Sequence, residues 1–390
     1  MISRGNVKSA FVLVLTFAAC ALAQQAPQLR ITNLAELLEL AEHPSVSAAE
    51  YLQAAKVLDA LEPSERRATL ERLISAKHYG MAADAAQRAI SSGETSLISA
   101  IAERICDRYP YDQGVVIQAV RRKKGPFLPI PHRLLKQTLE KAGSSTLAPP
   151  FVPEPADAIG SSAILIAGTG DAEDRLLVRK FASMRPNSWA AWTAVARAGV
   201  VDPATLQLAR RVQRDESNWD PVRVAAAVAL ANVDENAAKL ALAGVSAFFD
   251  EYAGVGMQSL IVSAYTNPRS DNKALSMQLR FHTLTALYLL KDNAAKHLTL
   301  ECMHFNNEFI SGYCGLVAAL RWPDEALKAG QGATPDNEYA NRLALIAERH
   351  PNLETAASMK LTPDRLAAAR KRVREIGLGV VPFGSMLDLF

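Results

Sequence analysis

Short alanine-rich helices that cannot be stable alone are the feature that most constrains the fold of this chain. Residues 219–249, WDPVRVAAAVALANVDENAAKLALAGVSAFF, predict two such helices joined by a turn. Nearly every second residue is alanine or another apolar residue, so neither helix has a polar face wide enough for solvent. Helices shorter than about 12–15 residues are marginal in water, so each of these must pack against a neighbour. Their alanines permit helix axes to approach at the short end of the usual range of about 8–10 Å.

Helix start and stop signals recur throughout the chain. Residues 63–77, PSERRATLERLISAK, begin with proline and serine and place a glutamate in the first turn. Residues 363–377, PDRLAAARKRVREIG, begin with proline and aspartate, carry basic residues late and end with glycine. This polarity suits helix caps and the helix dipole. Similar starts are Asp202-Pro203, Asp220-Pro221, Pro323-Asp324 and Pro335-Asp336.

Strand patterns are nearly absent from the sequence. Residues 161–168, SSAILIAG, are the one stretch that suits a strand, and they suit a buried helix equally well. Helices of about a dozen residues joined by short turns cannot bury their apolar faces singly, whereas antiparallel pairs stacked in an array share a continuous core. The sequence therefore predicts an all-α fold, in the form of an α-solenoid of stacked antiparallel helix pairs.

Parts of the chain resemble two kinds of helical repeat. Residues 220–232, DPVRVAAAVALAN, resemble the first part of a HEAT-like repeat, which has an Asp-Pro start, Val-Arg, then alanines and a leucine. The matching residues are Asp220, Pro221, Val222, Arg223, Ala226 and Leu230. In that family the Asp-Pro caps the helix and the arginine holds the neighbouring turn, so the resemblance implies structural roles. Residues 78–94 and 185–199 are similar to tetratricopeptide repeats, and both families are α-solenoids.

A proline-rich stretch divides the predicted helices into two blocks. Residues 143–162, GSSTLAPPFVPEPADAIGSS, combine several prolines with glycine and serine, which cannot continue a helix. We expect a Pro-rich connection between an N-terminal helical-repeat block and a C-terminal HEAT-like block. The expected divisions are a signal peptide 1–23, helical block 24–142, linker 143–160, helical block 161–376 and apolar tail 377–390.

The N-terminal residues, MISRGNVKSAFVLVLTFAACALAQQAPQ, predict export. Arg4 and Lys8 precede an apolar stretch, and Ala21-Leu22-Ala23 fits the small-x-small rule for signal peptidase. The apolar stretch is shorter than the roughly 20 residues that a membrane span needs. We expect a periplasmic or secreted protein. FAAC also resembles the lipobox, so an outer-membrane lipoprotein acylated at Cys20 is the alternative, and only in that case is a membrane partner expected.

The predicted mature chain is almost neutral. Losing Arg4 and Lys8 lowers the basic count from 43 to 41 against 40 acidic residues, so the net charge falls from +3 to +1. A nearly neutral surface argues against wholesale nucleic-acid binding. We therefore expect a protein or peptide partner in the cell envelope rather than a nucleic acid.

Three cysteines remain in the predicted mature chain: Cys106, Cys302 and Cys314. An odd count in an oxidising compartment suggests one disulfide and one buried thiol. Cys302 and Cys314 flank the apparent turn of a helical hairpin, so they are the candidate disulfide pair, with two small buried apolar residues as the alternative. His297 and His304 lie close in sequence, but the spacing matches no common zinc site. No metal and no cofactor are expected.

Basic and aromatic residues give the candidate partner-binding site. Residues 121–136, RRKKGPFLPIPHRLLK, interleave six basic residues with proline and phenylalanine. The four that begin this stretch and one tryptophan pair are the candidate partner-binding residues, namely Arg121, Arg122, Lys123, Lys124, Trp189 and Trp192. The alternatives are a basic helix C-terminus, which the helix dipole favours, and core packing of the tryptophans.

No catalytic residue is predicted, because no catalytic motif with the right spacing occurs. Solenoids expose long curved surfaces, so the leading hypothesis is an exported, non-enzymatic scaffold that binds a protein or peptide. The alternative is a cell-wall or polysaccharide-active enzyme on a helical scaffold. Such an enzyme would hold two carboxylates about 5–10 Å apart in a concave pocket.

The mature N-terminus is a first test. Signal-peptidase cleavage predicts a chain that begins at Gln24, detected by intact-mass measurement of protein purified from the envelope. A mass that matches an acylated Cys20 N-terminus would establish the lipoprotein alternative, and retention of residues 1–23 would contradict both.

Overall fold

The computed structural model contains only helices in the residues that it describes, which confirms the all-α prediction. The described residues are 31–43, 45–107, 110–143, 157–218, 220–231, 233–234, 236–237, 239–240, 289, 293–303, 314–315, 317–318, 321–322, 324–326, 328, 344, 348 and 362–375. The chain divides into two compact units, Met1–Ala89 and Ile90–Phe390. None of the helices in the described part is long and apolar enough to span a membrane.

The described part of the first unit is built from helices of up to four turns. They are α1 Leu34–Leu40, α2 Ala48–Ala60, α3 Pro63–Ile74 and α4 Tyr79–Ser92, the last of which runs across the division. Ser47 and Glu50 form a reciprocal capping box at the start of α2. The predicted start of α3 at Pro63 is confirmed. Helix α2 packs against both α1 and α3.

A polar cluster connects α2 and α4 within the first unit. Arg88 Nε donates to Asp84 Oδ2 at 2.7 Å, and Arg88 Nη1 pairs with Asp59 Oδ1 at 2.5 Å. Burial raises the pKa of Tyr51 to about 12, and the charge and hydrogen bond of Asp84 add to this effect. The Tyr51 phenol is therefore a protonated hydrogen-bond partner at neutral pH.

The second unit contains most of the helices. They are α5 Ile98–Arg104, α6 Pro110–Lys123, α7 Pro129–Ala142, α8 Ala158–Ile166, α9 Ala172–Met184, α10 Trp189–Ala198, α11 Pro203–Arg214, α12 Asp220–Leu230, α13 Asn293–Cys302 and α14 Pro363–Glu375. Short 3-10 helices lie at Thr95–Leu97, Ile105–Asp107 and Gly125–Phe127. The predicted helix starts at Pro203 and Pro363 are confirmed.

Helices α5 to α12 pack in two rows. In the odd row, α5 contacts α7, α7 contacts α9, and α9 contacts α11. In the even row, α6 contacts α8, α8 contacts α10, and α10 contacts α12. Sequence neighbours also pack together, as in α6 with α7, α7 with α8, α9 with α10, and α11 with α12. Most helices thus contact both the next helix and the next but one. The apolar helix α12, for example, is covered by α10 and α11.

Hydrogen bonds at the helix ends hold these rows in register. Asp202 caps α11 by accepting from Thr205, through its backbone N at 3.0 Å and its Oγ1 at 2.7 Å. Arg179 of α9 pairs with the same Asp202 at 3.0 Å, which fixes the start of α11 against α9. Arg223 Nε of α12 donates to the carbonyl of Gln213 in α11 at 3.1 Å. This contact ties the start of α12 to the end of α11.

Helix α8 is buried along its whole length. Every residue of Ala158–Ile166 is buried except Ile159, which is half-buried, so the ambiguous stretch 161–168 lies largely in a core helix rather than a strand. Gly160 lets α8 approach α10 closely, since a Cβ there would lie 2.7 Å from Ala190 Cβ. At the start of α8, Asp157 Oδ2 accepts from Arg185 Nη1 at 2.5 Å in a buried ion pair.

The predicted linker falls largely outside the described residues. Helices α7 and α8 lie on either side of it and pack directly against each other. Residues 144–156 of this connection are not described. The division into two repeat blocks at 143–160 therefore stays a prediction, as does the apolar tail 377–390.

Gly160 provides a stability test of the packing between α8 and α10. Gly160→Ala is expected to lower the free energy of unfolding, because overpacking a tight contact costs about 1–3 kcal/mol and alanine's better helix propensity offsets about 1 kcal/mol. Urea denaturation followed by circular dichroism measures the change. Ala190→Gly opens space on α10, so Gly160→Ala should cost less in that background. An equal loss of unfolding free energy for Gly160→Ala in the wild-type and Ala190→Gly backgrounds would contradict the close approach of α8 to α10.

Candidate functional site

The odd row carries the exposed polar face of the array, and a cavity opens on it. Residues of α10 and α12 in the even row are nearly all buried, whereas each odd-row helix has exposed charged residues. The cavity lies between α5 and α7 and has a volume of about 410 Å³. Its lining is Ile98, Ser99, Ala102, Glu103, Pro129, His132, Arg133, Lys136, Gln137 and Glu140. It therefore combines an apolar wall with charges of both signs.

A buried carboxylate orients the histidine of this cavity. Asp174 of α9 is 6% exposed, and its Oδ1 lies 2.6 Å from Nδ1 of His132 on α7. Its other oxygen, Oδ2, accepts from Thr169 Oγ1 at 2.5 Å. A carboxylate only accepts hydrogen bonds, so Nδ1 donates to Asp174. Asp174 thus fixes the imidazole ring of His132 at the edge of the cavity.

A second, exposed contact links the same two helices. Lys136 Nζ donates to Glu173 Oε1 at 2.8 Å, and His132 Nε2 lies 3.7 Å from that oxygen. The hydrogen bond from Lys136 and its charge lower the pKa of Glu173, and Glu173 raises the pKa of Lys136 in return. Further along, Lys180 Nζ donates to the carbonyl of Leu139 at 3.2 Å. The contacts His132–Asp174 and Leu139–Lys180 advance in the same direction along both helices, so α7 and α9 run parallel.

The predicted basic residues lie in different surroundings. Arg121 is 4% exposed and belongs to the interior, which corrects the expectation that it faces a partner. Arg122 and Lys123 are exposed at the end of α6, so partner binding by these two stays a prediction. Lys124 is half-buried in the following turn and has a positive φ of 48°. The later part of the same basic stretch is what reaches the cavity, through His132, Arg133 and Lys136.

The tryptophan pair is part of the core. Trp189 and Trp192 are 2% and 0% exposed, and Trp192 Nε1 donates to the carbonyl of Pro186 at 2.7 Å. Both were expected to bind a partner, with core packing as the alternative, and the structure corrects this in favour of core packing. The physical reason is their position on α10, which neighbouring helices cover.

The structure describes the side chains of two of the three cysteines expected in the mature chain. Cys314 is disulfide-bonded and buried, whereas Cys106 is free and half-buried. Burial raises the pKa of the Cys106 thiol. The side chain of Cys302 lies outside the described residues, as does His304, so the pairing of Cys302 with Cys314 stays a prediction.

Sequence reasoning missed the residues that organise this site. Asp174 and His132 are 42 positions apart, and neither lies in a motif that marks it. Thr169 belongs to a short glycine-containing turn, GTGD, that has no phosphate-binding pattern around it. The only sequence signal was the basic stretch 121–136, which contains His132 but does not indicate its partner.

No family model, no curated protein and no solved structure matches this chain. The likeness to HEAT-like and tetratricopeptide repeats accordingly rests on the residues and helix packing described above.

Asp174 gives a test of the buried network. Asp174→Ala is expected to lower the free energy of unfolding by about 1–3 kcal/mol, because His132 and Thr169 lose their common acceptor inside the protein. The matched control is Asp107→Ala, which removes an exposed carboxylate 3.7 Å from Lys141 and should cost at most about 1 kcal/mol. Urea denaturation measures both variants, and equal effects would contradict a special role for Asp174.

Proposed function

We propose that this chain is an exported, non-enzymatic α-solenoid that binds a protein or peptide partner on the exposed face of its odd row. The observation that carries the proposal is the two-row packing of α5 to α12, in which successive helices contact the next and the next but one. Stacked helical pairs of this kind present long continuous surfaces, which repeat proteins use for binding. The cavity on this face adds a site for one group of the partner.

The repeat identity that fits best is HEAT-like. Two arginines tie one helix to the end of another, Arg223 to the Gln213 carbonyl and Arg179 to the capping Asp202. Arg179 contacts the Asp202-Pro203 start of α11, and Arg223 follows the Asp220-Pro221 start of α12. These contacts support the structural roles that the HEAT-like pattern implies for the start of α12.

The cavity between α5 and α7 suits one side chain or chain end of a partner. Its volume of about 410 Å³ lies within the range of roughly 300–1,000 Å³ of ligand pockets. Ile98, Ala102 and Pro129 supply apolar contact, while the charged rim supplies orientation. His132 is held in place by Asp174 before any ligand arrives, so it loses little freedom on binding.

Export rests on the N-terminal sequence. Its basic start, apolar stretch and small-x-small site support a periplasmic or secreted protein, with the Cys20 lipoprotein as the alternative. The partner would then be another component of the cell envelope.

A cavity-filling variant tests the binding proposal. Ser99 is exposed at the cavity wall, so Ser99→Trp should occlude the cavity without touching the core. The control is Ser91→Trp, another exposed serine, which does not line the cavity. Peptides selected from a displayed random library against the mature protein are labelled, and their affinity is measured by fluorescence polarisation.

We expect Ser99→Trp to weaken binding of the selected peptides at least tenfold, with Ser91→Trp within about twofold of wild type. If Ser99→Trp and Ser91→Trp bind the selected peptides with equal affinity, the binding site lies outside this cavity. A library that yields no binding peptide at all would overturn the proposal.

The alternative is a cell-wall or polysaccharide-active enzyme. The observation that favours it is the presence of two carboxylates, Glu103 and Glu140, in the lining of one cavity. Both residues are exposed rather than enclosed, which suits recognition better than glycosidic bond cleavage. Hydrolysis of a cell-wall glycan by the wild-type protein, lost in Glu103→Gln and Glu140→Gln, would replace the binding proposal with this one.

A further inference from the structure

The charged side chains of the cavity between α5 and α7 divide into those with a partner and those without one. Asp174 accepts from His132, and Glu173 accepts from Lys136. The hydrogen bond to Glu173 and its charge raise the pKa of Lys136, and the charge of Glu140 adds to this effect. These two basic groups of the cavity are therefore already balanced by carboxylates of α7 and α9.

One cation and one carboxylate of the lining remain. The guanidinium group of Arg133 on α7 and the carboxylate of Glu103 on α5 form no ion pair or side-chain hydrogen bond within the described part of the chain, with each other included. Other charges nearby do not alter this balance, because Lys141 pairs with Asp107 at 3.7 Å and Arg104 does not line the cavity. The cavity thus presents one positive and one negative group that a ligand can bind without breaking an existing pair.

Contacts between α5 and α7 place these two groups at a similar level of the cavity. Cys106 Sγ lies 3.9 Å from the carbonyl of Arg133. Glu103 lies on the same side of α5 as Cys106, one turn earlier, and helix side chains tilt toward the N-terminus of their helix. Glu103 and Arg133 consequently lie on opposite walls of one small cavity.

Apolar side chains line the cavity beside the two charged groups. Ile98 and Ala102 are one turn apart on the face of α5 that carries Glu103, and Pro129 begins α7 one turn before Arg133. The cavity volume of about 410 Å³ is near the lower end of the range of roughly 300–1,000 Å³ of ligand pockets. It therefore suits a small molecule that carries a cation, an anion and an apolar group close together.

We propose that this cavity binds a free α-amino acid with an apolar side chain. The carboxylate of the ligand accepts two parallel hydrogen bonds from Arg133, a geometry that arginine offers and lysine does not. The ammonium group of the ligand donates to Glu103. Its side chain packs against the apolar wall formed by Ile98, Ala102 and Pro129.

The ligand is free rather than part of a longer chain, because both of its charges are attached to one α-carbon. A residue inside a partner chain has neither backbone charge, and a terminal residue has only one of the two. The amino acid occupies the position that the proposed function gives to a side chain or chain end of the partner, so the two compete. This inference goes beyond the proposed function, since it makes partner binding sensitive to a small molecule.

Isothermal titration calorimetry of the mature protein with leucine, valine, methionine and phenylalanine tests the inference. The N-acetyl form of the tightest-binding amino acid lacks the ammonium group, and its amide lacks the carboxylate. The site variants are Arg133→Gln and Glu103→Gln. The matched controls are Arg104→Gln on α5 and Glu71→Gln on α3, which change exposed residues that do not line the cavity. Circular dichroism establishes that each variant is folded.

We expect the N-acetyl form and the amide each to bind wild type about fivefold or more weakly than the free amino acid. Arg133→Gln and Glu103→Gln should each weaken binding of the free amino acid to a similar extent, with both controls within about twofold of wild type. In Arg133→Gln the amide and the free amino acid should bind about equally, because the partner of the carboxylate is gone. Absence of binding by all four amino acids at millimolar concentration would overturn the inference. So would an amide that binds wild type as tightly as the free amino acid.

A competition measurement separates this inference from the proposed function. The bound amino acid should displace library-selected peptides from the wild-type protein, as measured by fluorescence polarisation, and binding without displacement would contradict the competition. If peptides bind but none of the amino acids does, this inference fails and the proposed function stands. If an amino acid binds but no peptide does, the proposed function fails and the amino-acid site stands.

Discussion

The burial of short apolar helices against one another is the interaction on which the described part of this protein depends. Helix α8 has almost no exposed residue, and α10 and α12 expose very little, so none of them can exist outside a packed array. Each fully buried isoleucine or leucine contributes about 1.5–3 kcal/mol. Small residues make this packing possible, most clearly where Gly160 faces Ala190. The capping aspartates and arginines then fix which helix follows which.

The same packing creates the polar site. Because α7 and α9 lie side by side and run parallel, residues from both helices meet repeatedly along their length. His132 and Asp174 meet near the start of this contact, and Lys180 meets the Leu139 carbonyl further along. The buried carboxylate is tolerated because both of its oxygens accept hydrogen bonds. The histidine at the cavity is therefore oriented because α7 and α9 pack side by side in one row.

The two rows differ in what they offer to a partner. The even row holds Trp189 and Trp192, and its helices α8, α10 and α12 are almost fully covered. The odd row faces solvent with charged residues and with the cavity between α5 and α7. Binding energy in protein interfaces comes from a few well-placed groups rather than from total area. Among the helices α5 to α12, the odd row is the one that has such groups exposed.

Local residue types determined the helices, and tertiary packing decided which residues reach the surface. Proline and aspartate starts, such as those at Pro63 and Pro203, predicted helix positions because capping acts over a few residues. Periodicity did not reveal whether Trp189 and Trp192 face a partner or the core, since an apolar helix covered on all sides has no distinctive face. Arg121 looked like its exposed neighbours in sequence, yet it is buried. The pairing of His132 with Asp174 depends on the register of two helices in a row, and register is set by contacts between residues far apart in the chain.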